Sequence, residues 1–401
     1  MARTIPIFAA KQPSTVTDLE FRVSPPLALY VHVPWCVQKC PYCDFNSHEA
    51  NGEIPEREYV DALIADLQSA LPLIWGRPVV SVFFGGGTPS LLSPAAIDEL
   101  LAAFRALAML SPEAEITLEA NPGTVEAAKF AGFSKAGVNR VSLGIQSFSD
   151  DHLKALGRIH GADEAKRAAQ LAAEHFASFN LDLMYGLPGQ TLEQALSDVE
   201  MALSFKPPHL SCYQLTLEPN TRFAAFPPEL PEGDTCADMQ EAIEARLAGA
   251  GFANYETSAF AQTGKQCRHN LNYWHFGDYL GIGAGAHSKL TLHDRVLRQM
   301  RWKHPSAYLQ NTLAGTPVQE ETRIDALGLP FEFLMNALRL ADGFPPALYE
   351  SRTAQSINGI LPRLLAAQAD GLLAISPERI APTLRGRRFL NVLLERFLDE
   401  T

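Results

Sequence analysis

The sequence predicts an α/β protein built on a six-stranded partial barrel of the TIM-like (β/α)6 type, followed by a helical, winged-helix-like domain. Three observations predict this. Short apolar segments alternate with segments of helical period over the first half of the chain. Polar residues follow the end of each apolar segment, and a proline-rich stretch near residue 219 ends the alternation. A chain of 401 residues has room for two or three domains.

Composition excludes several classes of protein. With 47% hydrophobic and 19% charged residues the chain can bury sizeable cores, and a net charge of −12 argues against binding to nucleic acid or anionic membranes. No run of about 18 uncharged apolar residues could span a membrane. The apolar block before Lys11 is too short for a secretory signal. We therefore expect a cytoplasmic protein.

Six apolar segments bounded by Gly, Pro or polar residues predict six strands, at 27–33, 79–84, 115–119, 138–145, 179–185 and 210–217. Apolar residues at helical spacing over 60–71 and 97–107 predict crossover helices after the first two strands. Parallel strands joined in this way form either an open doubly wound sheet or a barrel.

The polar residues at the strand ends favour the barrel. They are Cys36, the segment 85–88, Glu119 with Asn121, Gln146, Asp182, and Tyr213 with Gln214. In a barrel these ends gather on one face around a central axis, whereas an open sheet would spread them along a crevice. The sequence therefore predicts a site at the carboxyl ends of the strands.

Four segments are predicted along the chain. A leader (1–25) precedes the barrel (26–218), and the prolines after Glu218 mark the boundary. Residues 219–304, with a helix over 237–250, are expected to close the barrel. Residues 305–401 are expected to be helical, with a hairpin over 371–384 and a final helix over 387–398, an order typical of winged-helix domains.

The strongest local signal is a group of three cysteines, Cys36, Cys40 and Cys43, in a loop directly after the first predicted strand. In a reducing compartment such a group indicates metal or redox chemistry. Three thiolates can hold three corners of a cubic iron–sulfur cluster and leave the fourth iron open to a small molecule. The scattered cysteines are expected to be ordinary buried thiols, and they are Cys212, Cys236 and Cys267.

A structural zinc site is the alternative for this loop. Such sites normally close with four ligands, so a fourth would have to come from His32, His48 or a distant residue. The loop itself supplies only three thiols, which favours the iron–sulfur cluster.

Seven segments, YVHVPWCVQKCPYCDFNSH, FFGGGTPSLL, LEANPGT, NRVSLGIQSF, LGRIH, FNLDLMYGLPGQT and CRHNLNYW, resemble the radical S-adenosylmethionine (SAM) superfamily and its coproporphyrinogen-dehydrogenase-like branch. The resemblance covers roughly residues 27–290 and continues into a C-terminal domain of the HemN type. It implies a [4Fe–4S] cluster on the three cysteines. It also implies SAM bound to the open iron and cleaved by one electron to a 5′-deoxyadenosyl radical.

The resemblance also implies cofactor-binding roles. Tyr30 and Tyr42 match positions near the cluster, and Gly86, Gly87 and Thr88 belong to a glycine-rich strand end that approaches the methionine amino group. The residues matched to the ribose, the carboxylate or a second SAM are Glu119, Gln146, Arg158 and Asp182.

Each of these residues also has a structural alternative. The glycines could form a tight turn from strand to helix. Glu119 could cap a helix. Gln146 and Asp182 could be hydrogen-bonded at a barrel mouth, and Arg158 could end a solvated helix.

Within the branch, the loop distinguishes two groups. Enzymes that decarboxylate coproporphyrinogen III carry a further cysteine two residues beyond the third ligand, where this chain has Phe45. The form CDFNSH instead resembles the HemW-type heme chaperones, and the leader has no YTSYPT-like segment of the decarboxylase.

The segment HNLNYW resembles the HNxxYW motif of those chaperones. His269 could ligate heme iron while Tyr273 and Trp274 pack on the porphyrin. His287 and His32 are other candidate ligands, and His269 could instead be an ordinary hydrogen-bonded residue.

The resemblance therefore predicts a heme chaperone with a [4Fe–4S] cluster, SAM and heme, and leaves open whether it performs radical chemistry. Expected partners are heme, respiratory hemoproteins at the membrane surface and a second copy of the chain, but no nucleic acid. The alternatives are an oxygen-independent coproporphyrinogen III dehydrogenase and, from the basic stretch 385–388, a winged-helix regulator.

Overall fold

The computed structural model describes residues 19–50, 52–124 and 127–398, so most of the predicted leader lies outside the described residues. The strands are β1 (Leu27–Val33), β2 (Trp35–Cys36), β3 (His48–Glu49), β4 (Pro78–Gly86), β5 (Met109–Ala120), β6 (Arg140–Gln146), β7 (Ser178–Tyr185), β8 (His209–Gln214), β9 (Ala253–Glu256), β10 (Ala259–Ala261), β11 (Asp278–Ile282), β12 (His287–Thr291), β13 (Val296–Arg301), β14 (Val318–Arg323), β15 (Leu373–Ile375) and β16 (Ile380–Pro382).

The helices are α1 (Glu56–Ile74), α2 (Pro94–Leu107), α3 (Ala127–Ala136), α4 (Asp150–Ala155), α5 (Ala162–His175), α6 (Leu192–Ser204), α7 (Arg222–Ala225), α8 (Gly233–Gly249), α9 (Arg268–Trp274), α10 (Pro305–Leu313), α11 (Leu329–Ala337), α12 (Pro346–Thr353), α13 (Leu361–Ala369), α14 (Leu384–Arg388) and α15 (Leu390–Glu395). None of the helices within the described ranges is long and apolar enough to cross a membrane.

The six predicted strands lie side by side in the order β1, β4, β5, β6, β7, β8, and each neighbouring pair is parallel. Helices α1 to α6 lie between them in the chain, which confirms the predicted βα repeat. The large sheet runs from edge strand β14 to edge strand β9 without closing on itself. The barrel is therefore partial.

Residues 219–304, followed by β14 from the next segment, extend the sheet at both edges. On one side β11 pairs in parallel with β1, and β12, β13 and β14 continue antiparallel. On the other side β10 pairs antiparallel with β8 and is followed by β9. The predicted domain boundaries themselves stay a prediction.

The local sequence explains how the parallel unit packs. Strand β1 buries six of its seven residues, as expected for a strand covered on both faces. Helix α1 buries Tyr59, Leu63 and Leu67 on one face. Helix α6 begins with a capping box, in which the Thr191 hydroxyl accepts a hydrogen bond from the Gln194 amide and the Gln194 side chain accepts one from the Thr191 amide.

The C-terminal helices pack around a second apolar cluster, which includes Phe333, Phe344 and Leu364. The predicted hairpin is confirmed, because β15 and β16 pair antiparallel. The predicted single helix over 387–398 is wrong. The chain instead forms α14 and α15, which meet at Phe389 in a non-helical conformation, and α14 begins three residues earlier because the Thr383 hydroxyl caps it.

Candidate functional site

A cavity of about 380 Å³ lies at the carboxyl ends of the parallel strands. Its wall brings together most of the predicted cluster and cofactor residues, which are Cys36, Cys40, Tyr42, Cys43, Gly86, Gly87, Thr88, Glu119, Gln146, Arg158 and Asp182. The position agrees with the strand-end pattern in the sequence. Such a volume is at the lower end of the range for sites that enclose one drug-sized ligand.

The three thiols stand on a loop that is fixed at both ends. Strands β2 and β3 pair in parallel, and the Ala50 amide donates to the Cys36 carbonyl at 2.8 Å. Within the loop the Cys43 amide donates to the Cys40 carbonyl at 3.1 Å. All three thiols are free and partly exposed, so they are available as ligands.

Arg158 ties the next strand end to this loop. Its guanidinium donates to the Cys40 sulfur at 3.4 Å and to the Gly144 carbonyl at 2.9 Å. The Nε atom is buried without a hydrogen-bond partner in the described chain. These contacts place the guanidinium between the cysteine loop and the end of β6. Arg158 is therefore part of the cavity wall and does not end a solvated helix.

Two glycines let β4 approach the cysteine loop. At Gly87, a Cβ atom would lie 2.5 Å from the Trp35 carbonyl oxygen and 3.0 Å from the Cys36 sulfur. At Gly86, φ is +115° and a Cβ would meet the His32 ring at 2.7 Å. Both positions therefore require glycine, for close approach and, at Gly86, for backbone conformation as well.

Two half-buried carboxyl groups face the same cavity. Glu119 accepts a hydrogen bond from the Gly86 amide at 3.3 Å, and Asp182 accepts from Ser142 at 3.0 Å and from Asn180 at 2.7 Å. Burial, with Asp182 nearby, raises the pKa of Glu119 to about 8. Burial also raises the pKa of Asp182. A protonated Glu119 can both donate to and accept from a hydroxyl, which suits a sugar.

Gln146 ends β6 with φ of +67°, an uncommon conformation for a residue other than glycine. A Cβ added to Gly144 would lie 2.9 Å from the Gln146 amide nitrogen, so that side chain folds back over its own strand end. The strained turn places the amide on the cavity wall beside Arg158.

The described residues contain no group of three or more His, Cys, Asp or Glu side chains close enough to hold one metal ion. The zinc alternative needs such convergence on a single ion. An iron–sulfur cluster gives each thiolate its own iron, so three thiols on an open loop beside a cation fit the cluster better.

The predicted heme residues are not on the cavity wall. The His269 Nδ1 lies 3.1 Å from the Ser81 hydroxyl, its ring stacks on Phe83 at 4.8 Å between ring centroids, and only 3% of the residue is exposed. Burial, with Arg140 nearby, lowers the pKa of His269 to about 3. Tyr273 packs edge-on against His269, whereas the Trp274 ring lies under the Arg339 guanidinium at 4.9 Å.

Tyr30 and the two other candidate histidines also lie off the wall. The Tyr30 hydroxyl lies 3.0 Å from the His32 Nδ1, and the His32 Nε2 lies 2.9 Å from the Asn46 carbonyl oxygen. His287 is exposed at the start of β12. Both nitrogens of His32 thus have partners already.

Several cavity residues were missed by the sequence analysis, namely Arg140, Ser142, Asn180, His209, Ser211 and Asn270. Five of them, together with the predicted Asp182, occupy alternate positions of three neighbouring strands: 140 and 142 on β6, 180 and 182 on β7, 209 and 211 on β8. Polar residues at a period of two within otherwise apolar strands were the available signal.

Two family models match the chain, the radical SAM superfamily over residues 30–202 and the HemN C-terminal domain over residues 324–389. The heme chaperone HemW of Escherichia coli strain K12 is 51% identical over 94% of this chain and 99% of its own length. The mouse protein named radical S-adenosyl methionine domain-containing protein 1, mitochondrial, is 36% identical over 93% of this chain and 87% of its own.

Among solved structures, coproporphyrinogen III oxidase (HemN) of Escherichia coli matches with a TM-score of 0.79 over 93% of this chain and 90% of that one. At 24% identity the match shows a shared fold. Membership of the superfamily implies a [4Fe–4S] cluster and SAM, which the cysteine loop and the cavity fit. Because identity to HemW proteins extends over nearly the whole of both chains, this chain belongs to the HemW family within the radical SAM superfamily.

Proposed function

We propose that this chain is a heme chaperone, which binds heme and transfers it to respiratory hemoproteins. The observation that carries the proposal is the 51% identity to heme chaperone HemW over 99% of that protein. The cysteine loop supports it, because Phe45 stands where the decarboxylating enzymes have a fourth cysteine, and this side chain is 61% exposed at the cavity. The expected cytoplasmic location and the homodimer stay predictions.

In this proposal Cys36, Cys40 and Cys43 hold the cluster, which when bound supplies an electron and an open iron for SAM. Arg158 donates a hydrogen bond to the Cys40 sulfur and so holds this ligand at the cavity. Gly86 and Gly87 let the end of β4 lie against the cluster loop, so that its backbone borders the part of the cavity that would take the methionine part of SAM. Glu119 and Asp182 offer hydrogen bonds to sugar hydroxyls, and the Gln146 amide binds a polar group next to Arg158.

We assign the heme ligand to the His269 Nε2. The Ser81 hydroxyl holds Nδ1, and a second hydrogen bond of this kind fixes the ring orientation of a metal-ligating histidine. The low pKa keeps the ring neutral at pH 7, which is the form that binds iron. Because Phe83 and Tyr273 cover the ring, heme reaches Nε2 only if these aromatic side chains move.

The proposal is tested by titrating anaerobically reconstituted protein with heme while a parallel sample receives SAM, a reductant and coproporphyrinogen III. We expect stoichiometric heme binding and no decarboxylated porphyrin. The His269→Ala variant should bind heme more weakly or with a shifted Soret band, whereas His293→Ala, at an exposed histidine, should behave like the wild type. Catalytic formation of protoporphyrinogen would instead establish the dehydrogenase.

A further inference from the structure

The cavity has an inner end that lies well away from the cysteine loop. Gln146 and Arg140 both line the cavity, at opposite ends. They stand six positions apart on β6, which corresponds to about 20 Å of strand. Arg158 joins the Gln146 end to the cysteine loop. The Arg140 end is lined by residues that the proposed cluster and SAM contacts leave unused, namely Asn180, His209, Ser211 and Asn270.

Arg140 has no partner at this inner end. The residue is 3% exposed, and within the described chain its guanidinium makes no hydrogen bond or ion pair, with Nε fully buried. The nearby carboxylates are engaged elsewhere. Glu115 accepts from the amides of Arg268 and His269, and Asp182 accepts from Ser142 and Asn180. Glu115 and Asp182 raise the pKa of Arg140 by their charge, but their oxygens accept no hydrogen bond from its guanidinium. Buried donors without an acceptor are costly, so the guanidinium indicates a ligand that accepts hydrogen bonds from it.

The groups around Arg140 are held rigidly by one another. The two nitrogens of His209 lie 2.7 Å from the Asn180 amide oxygen and 2.8 Å from the Tyr255 hydroxyl. Ser211 donates to the same Asn180 oxygen at 3.2 Å. Because burial keeps His209 neutral, by lowering its pKa, it adds no second positive charge. The guanidinium therefore sits in a fixed polar frame, which is how proteins recognise planar anions.

We infer that Arg140 binds a carboxylate of the ligand that enters the inner end of the cavity. The inference rests on the proposed function in one respect, since heme is then the ligand and one of its propionate groups is the carboxylate. Asn270, which follows His269 in the chain, and Phe83, whose ring stacks on His269, line the cavity together with Arg140. A heme whose iron binds His269 can therefore direct a propionate into the inner end of the cavity, toward Arg140.

The test compares two iron porphyrins, heme and its dimethyl ester, which lacks free carboxylates. Both are titrated into the reconstituted wild type and into Arg140→Gln, Arg140→Lys and Arg167→Gln, the last at an exposed arginine of α5. We expect Arg140→Gln to weaken heme binding by about 10-fold to 100-fold, the size of a charge-assisted pair, and to leave ester binding unchanged. Arg140→Lys should recover part of the loss, and Arg167→Gln should have no effect.

Each other result counts against the inference. Equal wild-type affinity for heme and its ester would overturn it even if Arg140→Gln fails to fold. A variant that loses SAM binding together with heme binding would place Arg140 in the cofactor site instead. Unchanged heme affinity in Arg140→Gln would remove the subsite and leave the chaperone proposal intact, whereas absence of heme binding in the wild type would remove both.

Discussion

At the scale of single residues, the role of the cysteine loop can be separated from the other thiols. Cys40 lines the cavity and receives the Arg158 hydrogen bond, whereas Cys236 is buried in α8 with only a carbonyl for a partner. We expect Cys40→Ser to abolish the visible absorbance of the reconstituted cluster, because one iron loses its ligand. Cys236→Ser should retain it. Unchanged absorbance in Cys40→Ser would refute the assigned ligand set.

Gly87 allows a steric prediction at the same loop. Its added methyl group would overlap the Trp35 carbonyl, and backbone cannot move aside as a flexible side chain can. We expect Gly87→Ala to lower the iron content after reconstitution several-fold. Gly249→Ala is the matched control, because a Cβ there meets nothing within 4 Å at the end of α8. Equal iron content in the two variants would contradict the close approach.

Glu119 allows a prediction about pH. Its pKa is raised to about 8 in the folded protein, so between its ordinary value of 4.5 and 8 the unfolded chain releases a proton that the folded chain keeps. Stability should therefore fall as pH rises through this window, by at most about 1.4 kcal/mol per pH unit.

The measurement is urea denaturation of the apoprotein at pH 5, 7 and 9. Glu119→Gln should flatten the loss between pH 5 and 8, because the amide does not titrate. Glu58→Gln, at an exposed position of α1, should keep the wild-type profile. A wild-type profile in Glu119→Gln would show that the Glu119 carboxyl is not the group responsible.

Single residues also show how far the sequence predicts the site. The cysteine loop is local, so spacing alone identifies it. Arg140 is different, because its proposed role in ligand binding depends on contacts between distant parts of the chain. Strands β6, β7 and β8 must lie side by side, and the neighbouring carboxylates must accept hydrogen bonds from other groups. His269 was assigned from its motif, and the motif carries no information about Phe83, which covers the ring.

At the scale of elements, the six parallel strands were predictable because each is a short apolar run followed by a helix of clear period. The added strands were not. β11 pairs with β1 although some 250 residues separate them, and the segment around it is rich in Gly and aromatic residues without a clear period. The final helix was misplaced because Thr383 caps α14 earlier than the apolar pattern suggests.

The attachment of β11 depends on a buried ion cluster. Asp278 is fully buried and pairs with Lys289 of β12 at 2.9 Å and with Arg77, just before β4, at 2.8 Å. We expect Asp278→Ala to lower the free energy of unfolding by about 3–5 kcal/mol, since it leaves the buried Lys289 and the partly buried Arg77 without their carboxylate. Asp61→Ala, which breaks an exposed pair with Arg57, should change the free energy of unfolding far less, because solvent screens that pair. Denaturation curves that give similar losses of unfolding free energy in the two variants would contradict the dependence on this buried cluster.

At the scale of the whole molecule, the C-terminal helices share their apolar core with the sheet. The cluster around Phe333 includes Phe276, which follows α9, and Val296 of β13. Phe333 packs edge-on against Phe276 at 5.8 Å and against Phe344 at 4.9 Å. The segment that carries the HNLNYW motif therefore also packs against the C-terminal helices. Movement of α9 during heme entry would change the packing of both the sheet and these helices.

This shared core predicts one cooperative unfolding transition. Phe333 is fully buried, so Phe333→Ala should lower the free energy of unfolding by about 3–5 kcal/mol through lost contacts and a cavity. The unfolding midpoints followed by far-UV circular dichroism and by cluster absorbance should shift together, because Phe333 packs against Phe276 on the sheet side of the core. Phe389→Ala, at a side chain that is 56% exposed, should change neither midpoint appreciably. A dichroism transition that precedes the loss of cluster absorbance would show that the C-terminal helices unfold alone.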